Sequence, residues 1–257
     1  MIGRKAGVIC GTLLACLPEG AAAQPVTTAW LEDVHVEQEG ATETVVGYTH
    51  QSADLKATAE GYDQLGLALH AGVGQDLALA PEVAFRQRGE EPLRLDRVGA
   101  RLRWSAFERT RWPALMLYGG YGNDLAEARD HLWALGAAAH YERAWLFANA
   151  DLRSTLNLGG EAGTALETWY GLAVGYGSHA PFTMRAGMEL FLVVPVVGDR
   201  MSDPTFGSSA QINTFYYGPS MALAVGPFWS ALSAVTGYPL SDGASQLMLR
   251  GLIGVAH

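Results

Sequence analysis

A chain of 257 residues with 49% hydrophobic and only 17% charged residues is more apolar than an ordinary soluble domain, in which about a quarter of residues are charged. Its formal net charge of −9 argues against nucleic acid as a partner. Cys10 and Cys16 are the only cysteines and both precede residue 24, so the rest of the chain has no disulfide, thiol nucleophile or thiolate metal site.

Residues 1–23 read as a secretory signal. Arg4 and Lys5 form a basic start, Ala6 to Leu17 is an apolar stretch too short to span a bilayer as a helix, and Ala21-Ala22-Ala23 is a small-residue cleavage site. A competing reading takes Leu13-Leu14-Ala15-Cys16 as a lipobox, with Cys16 as a lipidated N-terminus. Without Arg4, Lys5 and Glu19, 15 basic and 25 acidic groups remain. Residues 24–41 are polar and irregular, with Glu32, Asp33, Glu37 and Glu39, and are expected to be a periplasmic lead-in.

From Thr42 to His257 the chain alternates apolar and polar residues with period 2, the pattern of strands with two unlike faces. No window holds 18 uninterrupted apolar residues, so no helical span is expected. Twelve strands are predicted, at roughly 42–51, 63–73, 77–87, 93–106, 112–121, 130–142, 144–156, 166–177, 181–193, 212–225, 228–238 and 246–257. The connections alternate in length. The short ones are 74–76, 107–111, 142–143, 178–180 and 226–227; the others, mostly longer, are 51–62, 88–92, 122–129, 157–165, 194–211 and 239–245. An even strand count with alternating short turns and longer loops is the signature of an antiparallel transmembrane β-barrel, short turns toward the periplasm. About ten residues at about 3.3 Å each, tilted near 45°, rise on the order of 23 Å, which matches the apolar band of such a wall.

Ionisable residues set the phase of the strands. Val98, Leu102 and Trp104 oppose Arg97, Arg101 and Arg103; Leu146, Ala150 and Leu152 oppose Asn149, Asp151 and Arg153; Met184, Met188 and Leu190 oppose Arg185 and Glu189; Leu249 and Ile253 oppose Arg250. The fifth and eleventh strands are apolar on both faces and cannot be phased. The candidate lumen-lining residues are Glu82, Arg86, Arg97, Arg101, Arg103, Asp151, Arg153, Arg185, Glu189 and Arg250. Two readings of them stand open: a side-chain plug of ion pairs across a narrow lumen, or a polar pore in which arginines favour anions. A third places any site on the outer loops, whose acids include Asp54, Glu60, Glu90, Glu91, Asp124, Glu127, Glu161, Asp199, Asp203 and Asp242.

Aromatic residues gather at both strand ends: Trp104, Trp112, Tyr141, Trp145, Phe182, Phe228 and Trp229 beside the short turns, and Tyr118, Tyr121, Trp133, Trp169, Tyr170 and Tyr238 beside the longer loops. They are expected to form two interfacial girdles. A soluble β-sandwich shares the period but accounts for neither the girdles nor the arginine-bearing second faces. None of the seven histidines falls in a metal-binding run; His131 and His179 read as solvated polar residues, and no metal or cofactor is expected. His140 and Ser154 are the nearest approach to a nucleophile–base pair, but they fall toward opposite ends of neighbouring strands, and no Gly-x-Ser-x-Gly elbow is present. No catalytic residue is assigned.

The opening Trp30-Leu31-Glu32-Asp33, Gly40 and Glu43-Thr44, with Tyr216-Tyr217-Gly218-Pro219-Ser220, Phe228-Trp229 and Leu249-Arg250-Gly251-Leu252-Ile253-Gly254, resembles outer-membrane barrels named after the MetA pathway of phenol degradation. The resemblance implies an outer-membrane barrel with a transport role for small, often aromatic compounds. Such barrels commonly end in an aromatic residue on the lipid face, where this chain has His257. The chain is therefore expected to be an all-β, 12-stranded outer-membrane barrel acting as a passive channel for small, anionic or aromatic solutes. The alternatives are a structural barrel with a filled lumen and, behind it, a lipid-acting enzyme. Its partners are expected to be outer-membrane lipid and lipopolysaccharide.

Overall fold

The computed structural model describes residues 29–32, 36–52, 61–106, 114–125, 131–158, 164–178, 183–197, 213–240 and 245–257. The expected signal with both cysteines, Trp112, Phe182, His179 and most of the acidic loop residues lie outside the described residues.

Twelve strands follow in chain order: β1 (Thr42–Gln51), β2 (Tyr62–Gly74), β3 (Leu77–Arg88), β4 (Arg94–Ser105), β5 (Ala114–Asp124), β6 (His131–Arg143), β7 (Leu146–Leu158), β8 (Ala165–Ser178), β9 (Thr183–Val197), β10 (Thr214–Val225), β11 (Phe228–Pro239) and β12 (Gln246–Ala256). Each pairs antiparallel with its sequence neighbours, and β1 pairs with β12 from Glu43↔Ala256 to Gln51↔Met248, so the sheet closes on itself. Closure leaves no unpaired edge, the condition for crossing hydrocarbon with strands. At the seam the His257 N–H donates to the Thr42 carbonyl (2.8 Å), and the His257 ring nitrogen Nε2 lies 3.2 Å from the outward-facing Thr44 hydroxyl.

The outer surface is apolar. Leu67, Leu102, Leu152, Met188, Leu232 and Ile253 are all exposed, while their strand neighbours face inward and are mostly buried. This is the face that a bilayer's hydrocarbon covers. The two unphased strands resolve: Ala114, Met116 and Tyr118 of β5 and Trp229, Ala231, Ser233 and Val235 of β11 face inward.

Two features depart from expectation. The tight turn after β6 is Ala144-Trp145 rather than Glu142-Arg143, with Ala144 in the left-handed region at φ 55°. The girdles are thinner than the sequence suggests. Trp104, Trp145, Tyr121, Trp133, Tyr170 and Tyr238 are exposed, but Trp229, Tyr118 and Trp169 are buried inside. Each of these three gives its polar hydrogen to a carboxylate of the inner wall: Trp229 to Glu43, Tyr118 to Asp151 (2.6 Å) and Trp169 to Glu167 (3.0 Å). A buried indole or phenol needs such a partner.

Candidate functional site: the lumen and the segment inside it

The described part of the expected periplasmic lead-in does not stay outside the wall. Residues 36–41 enter the barrel at the short-turn rim beside β2, where Glu39 bridges Gly72 in parallel and the Gly40 N–H donates to the Gly72 carbonyl (3.0 Å). Residues 29–32 lie deeper, against β7, β8 and β9. Both carboxylate oxygens of Glu189 accept backbone hydrogen bonds, from Ala29 (2.8 Å) and Trp30 (3.0 Å). The Glu32 N–H donates to Asp151 (3.3 Å), and its carbonyl accepts from the Asn149 amide (3.0 Å). The inner wall thus satisfies the backbone of a bent segment that has no strand partner there, as burial requires.

Side chains of the segment divide between two kinds of surface. Trp30 and Leu31 are buried against the inner faces of β8–β10, where Trp169, Phe191 and Tyr216 stack in series with centroids 5.9 and 4.7 Å apart. The Arg250 guanidinium lies 5.2 Å from the Trp30 ring centroid, and that of Arg153 lies 4.3 Å from the ring of Trp169, within cation–π range. Glu32 reaches instead to β4. One of its oxygens accepts a hydrogen bond from Arg101, the other lies 3.4 Å from the Arg103 guanidinium, and Arg101 also donates to Glu82 (2.8 Å). Burial would raise the Glu32 pKa, but Arg101, Arg103, Arg153 and His70 outweigh it and hold it at about 2. Glu37 is also held below the usual carboxylate range: burial opposes this, while its hydrogen bond to His70 and the charges of Arg103 and His70 win.

All ten predicted lumen residues face inward, but they do not form one cluster. Glu82, Arg97, Arg101, Arg103, Asp151 and Arg153 surround the Glu32 side of the segment, and Glu189 and Arg250 hold its Trp30 side. Arg86 is apart, buried with Asp96 (3.0 Å), which also accepts from Gln64 (3.0 Å). Arg185 lies toward the short-turn rim with Glu142 (2.7 Å). A cavity of about 160 Å³ remains between the segment and the wall, lined in part by Thr49, Gln64, Arg97, Arg101, Arg103 and Arg250. A smaller one of about 40 Å³ lies between Arg97, Arg101, Tyr118 and Arg153.

Glu37, Glu43 and His70 place one ligand atom each within 4.8 Å of the others, a metal-like grouping drawn from three separate stretches of chain and so invisible as a spacing. The Arg103 guanidinium already stands 3.2 Å from His70 Nδ1 and 3.7 Å from Glu37, where it places a positive charge beside the Glu37 carboxylate. His140 and Ser154 are engaged elsewhere: His140 lies 3.4 Å from Glu142, and the Ser154 hydroxyl 3.3 Å from that of Thr168.

No protein-family model matches the chain, and no curated protein matches it in sequence. Solved structures match it in shape. An outer membrane channel from Pseudomonas putida F1 superposes with a TM-score of 0.55 at 13% identity, over 94% of this chain and 99% of that one. The fold is that of an outer-membrane β-barrel. The translocator domain of the autotransporter NalP from Neisseria meningitidis aligns over 97% of this chain and 95% of its own, at 11% identity and a TM-score of 0.49.

Proposed function

We propose that this barrel is an outer-membrane channel for small solutes, closed in this conformation by its own N-terminal segment. The observation that carries the reading is that the lumen is obstructed by residues 29–32 and 36–41, which belong to no wall strand, and still holds a cavity of about 160 Å³ beside them. A lumen built only to be filled needs no separable stopper. The arginines beside the cavity (Arg97, Arg101, Arg103 and Arg250) favour anions. The Pseudomonas structure of similar shape is described as a channel, and the motifs resembling MetA-pathway barrels support small, aromatic solutes. The lipid-facing belt and the outer loops would meet outer-membrane lipid and lipopolysaccharide. The reading gives the chain no catalytic step, since Ser154 and His140 each face a partner other than one another.

The second reading, a permanently closed structural barrel, draws on the density of ion pairs that seat the segment. Planar-bilayer recording of the refolded protein separates the two. The channel reading expects brief openings in the native protein, a higher open fraction in Glu32→Ala, and loss of anion preference when Arg97, Arg101 and Arg103 are replaced by alanine. Silence of the native protein and of Glu32→Ala alike would overturn it.

A further inference from the structure

The Glu32 side chain sits in its surroundings as a bound ligand would. It comes from outside the wall, its two oxygens are shared between two guanidinium groups of β4, and the charges of Arg153 and His70 also bear on it. The backbone around it is held separately, by Asp151, Asn149 and Glu189. Among the described residues, what Arg101 and Arg103 meet at Glu32 is its side-chain carboxylate. Two guanidinium forks converging on one carboxylate is the arrangement that proteins use to bind this group with directional, charge-assisted hydrogen bonds. The cavity of about 160 Å³ opens directly onto Arg101 and Arg103, so a small anion in the lumen has access to the same donors.

We propose that Arg101 and Arg103, with Arg153 nearby, form a carboxylate-binding site of the lumen, and that Glu32 occupies it as a tethered stand-in which a solute carboxylate displaces. The proposal deepens the channel reading and rests on it only for the displacement; the site itself stands on the geometry. Its consequence is that a carboxylate solute is both cargo and key. By taking the arginines it removes the ion pairs of Glu32 and favours withdrawal of the segment, as any ligand favours the state that binds it better.

The test is titration calorimetry of the refolded full chain in detergent with acetate as the probe and chloride as the control anion. Glu32→Ala removes the carboxylate that Arg101 and Arg103 share while leaving Glu82 beside Arg101 and Glu37 beside Arg103, and acetate is expected to bind this variant saturably with one-to-one stoichiometry, about tenfold more tightly than it binds the native protein. Adding Arg101→Ala and Arg103→Ala to Glu32→Ala is expected to weaken that binding by about tenfold or more, the loss of charge-assisted hydrogen bonds. If Glu32→Ala loses the heat-modifiable gel mobility of a folded barrel, Glu32→Ser is titrated in its place. Absence of saturable acetate binding, equal binding after the arginines are removed, or equal occupancy by chloride would overturn the carboxylate site. Arginine-dependent acetate binding by a protein that never conducts would support the site and overturn the channel reading, so the two failures are distinct.

Discussion

A carboxylate whose pKa is depressed by its partners stabilises the arrangement that depresses it, and Glu32 does so for the seated segment. Arg101, Arg103, Arg153 and His70 face it with positive charge, and Glu82 and Asp151 lie near with negative charge. Held at about 2 when seated against an ordinary value of 4.5, Glu32 contributes fully above pH 4.5 and loses its contribution as pH falls through about 2. Glu37 shifts in the same direction and adds to the effect. Acidification from pH 6 toward 2.5 is therefore expected to raise the open fraction in bilayer recordings. Glu32→Gln, which cannot titrate, is expected to flatten most of that rise; an unchanged profile in this variant would remove Glu32 from the account. A second ion pair makes a different prediction. Asp96 is fully buried with Arg86, away from the segment. Asp96→Ala removes the carboxylate that faces the buried Arg86 guanidinium and is expected to cost roughly 3–5 kcal/mol in urea-dependent refolding into lipid vesicles, with gating unaltered. Arg86→Met with Asp96→Leu is expected to recover most of the loss.

At the level of single elements, sequence legibility followed the arginines. Where a charged residue pins one face, as in β4, β7, β9 and β12, the alternation names the inner wall correctly, because a mid-membrane charge has only one tolerable side. Asp96 escaped because β4 carries a bulge: Ala84 pairs with Arg97 but Phe85 pairs with Leu95, so Asp96 and Arg97 both turn inward and the period breaks. An aromatic residue at a strand end suits either face, so the sequence alone places Trp229, Tyr118 and Trp169 in the girdles. What brings them inside is a carboxylate on another strand or two residues away, which alternation does not report. The segment itself is illegible: its sequence has no periodicity, and the hydrogen bonds of its described residues join positions from about 30 apart, as Gly40 and Gly72, to 160 apart, as Ala29 and Glu189. One signal of it was present in the inward glycines. A Cβ on Gly72 would lie 1.9 Å from the Gln38 carbonyl oxygen and 2.6 Å from that of Glu37, so β2 keeps glycine where the segment passes. Gly72→Ala is accordingly expected to push residues 37–38 off β2, break the Glu37–His70 contact and raise the open fraction. Gly66→Ala on the same face meets nothing nearer than 3.9 Å and is expected to leave conductance unchanged. Equal behaviour of the two variants would count against the seated path.

For the whole molecule the governing contrast is between an exterior solved by lipid and an interior solved by pairing. Twelve strands closed into a ring satisfy the wall's backbone, so the outer side chains need only be apolar, while every inner charge needs a partner or water. The two faces should therefore respond oppositely to the same change, and on the outer face the response should depend on depth. Leu232 is 55% exposed at the middle of β11, paired with Met221 and Gly251, whereas Leu240 is 63% exposed just past the outer end of that strand. Their exposure to the surroundings is similar, and what differs is where the bilayer stands around them. Leu232→Arg is expected to destabilise the barrel by about 2–4 kcal/mol and Leu240→Arg by about 0–1 kcal/mol in reversible unfolding from lipid vesicles. In a soluble sheet both residues would face water and both substitutions would be nearly neutral. A depth-dependent penalty thus reads the hydrocarbon band directly, and equal small effects at the two positions would deny that β11 crosses a membrane.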